Sequence, residues 1–130
     1  MKLIRLALLL TLIFNSIVSF SQSTDTLNCK FLRHSKLQYI NSQDSTAYVI
    51  INDKDHIEYL YGEKYYIKST LNWLNDCEYE MTMTEITLPN FPFHAGDMMH
   101  VKCDSIEGDI INFTGTVKGE TFKGQFRVMK

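Results

Sequence analysis

Helical periodicity is missing from residues 22–130. Lys/Arg clusters and catalytic signatures are missing too, as is any long apolar run past the first twenty positions. Each absence excludes something. Nucleic-acid binders gather basic side chains on a face or stripe, because phosphate contacts supply most of their affinity, so nucleic acid is not an expected partner. An anionic membrane surface needs a polybasic segment, and none is present. There is no Gly-x-Ser-x-Gly elbow, no His-Glu-x-x-His and no catalytic-cysteine signature, so an enzyme finds no support in motifs and no cofactor is implied. Tryptophan occurs once, and the only two prolines, Pro89 and Pro92, share one segment.

The N-terminus reads as a secretory signal. Lys2 and Arg5 form a basic region, Leu6 to Phe14 is almost unbrokenly apolar, and Ser19-Phe20-Ser21 places small residues before a cut preceding Gln22. A spanning helix needs roughly 20 predominantly apolar residues, and Asn15 and Ser16 interrupt a shorter run. The expected organisation is a signal helix over 1–21, a flexible leader over 22–28 and a single β domain over 29–130. The protein is expected to be exported, periplasmic or secreted, with no stable membrane insertion once the signal is removed. Cleavage leaves 109 residues, enough for one domain, with eleven basic against fifteen acidic side chains.

Within that domain, period-two alternation and turn clusters recur about every ten residues. Phe31 to Ile40 is a first strand of mixed alternation. Ala47 to Ile51 is a continuous apolar run, read as a strand covered on both sides. In the third strand Ile57, Tyr59 and Tyr61 share one face, assigned to the interior. The fourth is the clearest, with Tyr65, Ile67, Ser69, Leu71 and Trp73 inward. Cys77, Tyr79, Met81 and Met83 continue that face after a turn at Asn75-Asp76. The phase then slips at Thr84-Glu85, through a bulge or because the strand ends there. Leu88 to Gly96 holds both prolines and reads as a loop. Three further strands alternate at Met99, Val101 and Cys103; at Ile111, Phe113, Gly115 and Val117; and at Phe122, Gly124, Phe126 and Val128, with Lys118-Gly119 as a tight hairpin. About eight antiparallel strands in an up-and-down meander predict a lipocalin-like barrel, whose closure removes exposed edges; a two-layer sandwich is the alternative.

The odd cysteine count, Cys29, Cys77 and Cys103, permits one bridge and leaves one thiol over. If strands five and six fold about Pro92-Phe93, reflection of an ideal ladder sets Cys77 about five residues, or ~17 Å, from the position opposite Cys103. A disulfide needs Cα atoms within about 7 Å, so Cys77–Cys103 is disfavoured unless a bulge closes the gap. Cys29, on the leader, can reach the end of the barrel where Cys77 emerges. The expected pair is Cys29–Cys77, with Cys103 a buried free thiol.

Among candidate site residues, His94, His100 and Cys103 do not make a metal set, since alternation points His100 outward and Cys103 inward. Asp53-Lys54-Asp55-His56 lacks the glycine and oxygen ligands of a calcium loop and reads as a turn. Binding has two candidate locations. One is the interior, where Trp73, Tyr79, Met81 and Phe113 are the proposed lining and small Ser69, Gly115 and Gly124 leave room. The other is the Pro loop, where Phe91 and Phe93 either tuck over a barrel mouth or stand out as a partner contact.

Cys29-Lys30-Phe31-Leu32, Tyr39 and the run Trp73-Leu74-Asn75-Asp76-Cys77-Glu78-Tyr79-Glu80-Met81-Thr82 together resemble a family of small uncharacterised exported proteins of Bacteroidetes-type bacteria, built around a Trp-x-x-Asp-Cys-x-Tyr core. Some members carry a topoisomerase label. That activity needs a large multidomain scaffold and basic DNA-binding surfaces, which an acidic domain of this size does not supply. The resemblance implies one exported domain and a Cys29–Cys77 pairing, and no mechanism; His34-Ser35-Lys36 stands where a glycine is expected and Cys103 is additional to the pattern.

These observations point to an exported, non-catalytic binding protein that holds a small apolar or amphipathic ligand. The alternative is an envelope-associated protein–protein interaction module with a filled core. An interior cavity of roughly 300 Å³ or more favours the first. A carboxylate or histidine with a strongly shifted pKa in a concave site would bring an enzyme back into consideration.

Overall fold

The computed structural model describes residues 27–130; the expected signal helix and most of the leader lie outside the described residues. The chain forms a short 3₁₀ turn, Lys30–Arg33, and eight strands: β1 His34–Tyr39, β2 Tyr48–Asn52, β3 Asp55–Leu60, β4 Tyr65–Asn75, β5 Glu78–Ile86, β6 Met98–Glu107, β7 Ile110–Val117 and β8 Glu120–Val128. They pair antiparallel in chain order, and β1 meets β8 through Leu37–Val128, Gln38–Arg127 and Tyr39–Phe126, closing a barrel. Closure rules out the two-layer sandwich and satisfies every edge in one continuous ladder.

The hairpin turns set the phase of each strand. Lys118 and Gly119 take positive φ (49° and 79°) in the two-residue turn between Val117 and Glu120, the backbone that a right-twisted hairpin requires. The slip in β5 is a bulge: Lys68 pairs with Glu85 and Ser69 with Met83, so Thr84 is the extra residue and the strand runs on to Ile86.

Three expectations are corrected. The first strand does not begin at Phe31; Lys30–Arg33 forms the 3₁₀ turn, buries Leu32 and leaves Phe31 exposed. β2 is not covered on both sides, since Val49 and Ile51 are buried while Tyr48 lies on the outer surface and stacks on Tyr59 with ring centroids 5.1 Å apart. β3 is reversed relative to expectation. Its interior residues are His56, Glu58 and Leu60, because the turns pair Ile51 with His56 and His56 with Ser69. Tyr59 faces outward, and Tyr61 leaves the strand altogether for the turn, where it is 58 % exposed.

The two ends of the barrel differ. At one end Cys29, the residue before the 3₁₀ turn, is fully buried and bonded to Cys77. Arg33 reaches Asp53 (3.7 Å) and Asp76 (3.4 Å) and lies 4.5 Å from the centroid of the Trp73 ring. The Trp73 Nε1–H donates to the Asp53 carbonyl at 2.7 Å, which ties the β2–β3 and β4–β5 turns to the 3₁₀ turn. At the other end the Pro loop folds back: Phe91 and Phe93 are half-buried and pack on the cluster of Ala47, Leu60, Ile67 and Met83.

The Cys29–Cys77 bridge agrees with expectation, and Cys103 is free and buried. The ladder offset used to disfavour Cys77–Cys103 is not observed. β5 and β6 pair Glu78 with Lys102 and Thr82 with Met98, which centres the connection near Asn90 rather than Pro92-Phe93. The Cys103 N–H donates to the Cys77 carbonyl at 2.8 Å, so the two cysteines are cross-strand neighbours.

Candidate functional site

The barrel interior holds a chamber of about 70 Å³. Its walls are mostly apolar: Met81, Met83, Met99, Val101, Phe113 and Phe126 project from β5 to β8. Phe91, from the Pro loop, and Phe122, 43 % exposed, also border the chamber. The polar groups come from three strands, Tyr39 on β1, His56 and Glu58 on β3 and Tyr79 on β5.

The positions of these polar groups follow from alternation. His56 and Glu58 are two apart on β3 and share the face that pairs with Ser69 and Ile67 on β4. Tyr39 ends β1 opposite Phe126, with ring centroids 4.6 Å apart. Phe126 in turn stacks on Phe113 at 4.4 Å. The aromatic rings thus stand beside the carboxyl-bearing wall.

Their protonation is set chiefly by burial. His56 is 3 % exposed, and removal from water lowers its imidazole to about 4, so it is neutral near pH 7. The same desolvation raises Glu58 to about 7, opposed in part by the Tyr39 hydroxyl. Burial raises Tyr39 well above the ordinary phenol range, and the Glu58 charge adds to that shift. Tyr79 is also shifted upward, first by burial and then by its neighbours Cys103 and Glu58. Glu58 is therefore the one group of this set whose charge changes near neutrality.

Two buried polar atoms have no hydrogen-bond partner among the described residues, His56 Nδ1 and Ser69 Oγ, and they belong to directly paired residues. None of the ion pairs among the described residues involves Glu58. A buried imidazole nitrogen without a partner costs free energy, and so does a carboxylate that, like the partly buried Glu58, is desolvated without a cation to offset it. Apolar residues would close this core more stably, so the polar wall runs against stability.

Of the residues proposed from sequence, Tyr79, Met81 and Phe113 line the chamber. Trp73 does not; it packs edge-on against Tyr79 (4.9 Å) beside the disulfide end. Phe91 and Phe93 make an edge-to-face pair at 5.5 Å and tuck over the mouth, with Phe91 bordering the chamber. The space expected around the glycines is occupied. A Cβ on Gly115 would lie 2.5 Å from the Phe122 ring and one on Gly124 2.6 Å from the Phe113 ring. His100 faces outward and pairs with Glu78 at 3.0 Å, whereas Cys103 points inward.

Sequence reasoning missed Tyr39, His56 and Glu58. A signal for two of them was present: β4 fixed Ile67 and Ser69 inward, and reflecting them through the turn at Tyr61–Lys64 places Glu58 and His56 on the same face. Hydrophobicity alone favoured Ile57 and Tyr59, and it prevailed.

Comparison with protein-family models, with curated proteins and with solved structures finds no match to this chain.

Proposed function

We propose that this protein is an exported binding protein that receives a small amphipathic molecule inside its barrel, entering at the Phe91/Phe93 end. One observation carries the reading: an otherwise apolar chamber retains Glu58, His56 and Tyr39 on one wall, with His56 Nδ1 lacking any partner among the described residues. A polar wall that lowers stability is understandable where it orients a guest, since ligand sites pair apolar walls with a few placed polar groups. The disulfide fits an oxidising compartment.

The chamber is far below the roughly 300–1,000 Å³ of pockets for drug-sized ligands. The guest is small, or the Phe91 roof lifts to admit a longer one. That small volume is also what favours the second reading, an envelope-associated interaction protein whose interior is filled. A buried carboxyl raised to about 7 is equally what acid–base chemistry would use. We assign no reaction, because a guest that fills this chamber leaves little space for a co-substrate or an attacking water.

Native mass spectrometry of the protein isolated from its own source tests the proposal. The expected result is a small co-purifying mass that disappears when Val101→Phe fills the chamber. The bare protein mass in repeated preparations would overturn ligand carriage and leave the interaction module.

A further inference from the structure

The lining of the chamber is asymmetric in charge. Among the described residues no Lys or Arg borders it, and the only lining group able to carry charge near neutrality is the Glu58 carboxyl. The groups that face Glu58 are Tyr39 from β1, His56 from its own strand and Tyr79 from β5; β4 presents Ile67 and Ser69, and β7 and β8 present phenylalanines. None of these side chains supplies a cation, and His56 is held neutral by burial. A carboxylate-headed guest such as a fatty acid would meet a like charge and nothing to balance it.

The opposite sign fits on two counts. An ammonium placed against Glu58 forms a charge-assisted hydrogen bond in a site partly shielded from water. The rings of Tyr39, Tyr79, Phe113 and Phe126 surround the same space, and ring faces attract cations by about 0.5–2 kcal/mol. The methionines Met81, Met83 and Met99 offer an adaptable wall for an alkyl body. We propose that the guest is a small amphipathic amine, with its nitrogen against the Glu58 carboxylate and its hydrocarbon among the methionines and Phe126. The inference rests on the interior-binding reading above.

Ammonium binding requires ionised Glu58, so affinity follows the ionised fraction. With Glu58 titrating at about 7, the affinity of an amine falls roughly 90-fold from pH 8 to pH 5, whereas that of a neutral guest does not. The test is titration of the disulfide-bonded protein with n-butylamine, 1-butanol and butyrate, followed by calorimetry and by backbone amide NMR at Tyr39, His56 and Glu58. The expected result is an amine preference over the alcohol of more than roughly threefold at pH 8, lost on acidification, with butyrate weakest. In Glu58→Gln the alcohol still binds, which verifies the fold, and the amine loses both its preference and its pH dependence.

Butyrate binding as tightly as butylamine, or an amine preference of roughly threefold or less at pH 8, would overturn the amine assignment while interior binding stood. Failure of all three probes to shift interior amides in the wild-type protein would overturn the binding reading as well. The wild-type pH series decides the point even if Glu58→Gln does not fold.

Discussion

Inside the barrel, Glu58 and His56 act on stability in opposite directions as pH changes. Glu58 titrates at about 7 in the fold against an ordinary 4.5, so between those values the native state holds a proton the unfolded chain has released. Stability therefore falls with rising pH across that window, at up to about 1.4 kcal/mol per unit. His56 titrates at about 4 against an ordinary 6.5, so between those values the unfolded chain holds the extra proton and stability rises with pH. From 4.5 to 6.5 the two slopes oppose each other. Urea unfolding of Glu58→Gln should expose the histidine's rise, and His56→Phe should expose the carboxyl's fall, where the wild type stays nearly level. An unchanged pH profile in both variants would contradict the buried placement. These two residues were the least legible in the sequence, since a polar side chain carries no hydrophobic signal for its side of a strand and only register assigns it inward.

The last hairpin packs by exchange. β7 and β8 set Phe113 opposite Gly124 and Gly115 opposite Phe122, each ring lying over the other strand's glycine. The rings occupy the space where a Cβ would stand, which is why neither glycine widens the interior. Gly115→Ala and Gly124→Ala should each destabilise the protein by about 1–3 kcal/mol through overpacking, read as a lower urea midpoint at unchanged slope. Gly124→Ala also pushes Phe113 toward the chamber and should weaken guest binding, whereas Gly115→Ala displaces Phe122 at the more open rim. The strands themselves were readable because alternation from Tyr65 to Trp73 and from Ile111 to Val117 is nearly unbroken. Facing partners were readable only through the turn: alternation does not set two glycines under two phenylalanines, but reflection about the Lys118-Gly119 hairpin does.

Taken end to end, the barrel has a floor joined by a disulfide and a roof without one, pinned by backbone hydrogen bonds only where Gly96 and Asp97 meet Met83. The floor is joined covalently through Cys29–Cys77 and knitted by Arg33, Asp53, Asp76 and Trp73. The roof rests on the half-buried Phe91 and Phe93. Hydrogen exchange should be fastest in the 88–93 segment, ahead of the hydrogen-bonded amides of His94, Gly96 and Asp97, and slow around residues 29–33. Phe91→Ala should speed guest entry and release without changing the ranking of amine over alcohol. Comparable protection at both ends would contradict this asymmetry. Meander and closure were readable from strand count and short connections, whereas the cap at Lys30–Arg33 was not, because four residues of mixed polarity carry no period.

The rung shared by Cys77 and Cys103 has a separate consequence. The two lie one step past the last paired residues, Glu78 and Lys102, joined by a single backbone hydrogen bond. Facing residues in such a ladder stand about 5.5 Å apart at Cα, inside the range a disulfide tolerates, and both side chains border the same small hollow. Deleting the native bridge by Cys29→Ser therefore should not yield two spare thiols under oxidising conditions. It should yield none, because a strand-to-strand staple replaces the lost tether, with a mass about 2 Da below that of the reduced variant. The double substitution Cys29→Ser/Cys103→Ser is then the true bridge-free reference. Any measurement of what the native crosslink contributes, taken from the single variant, would report the difference between two crosslinked proteins.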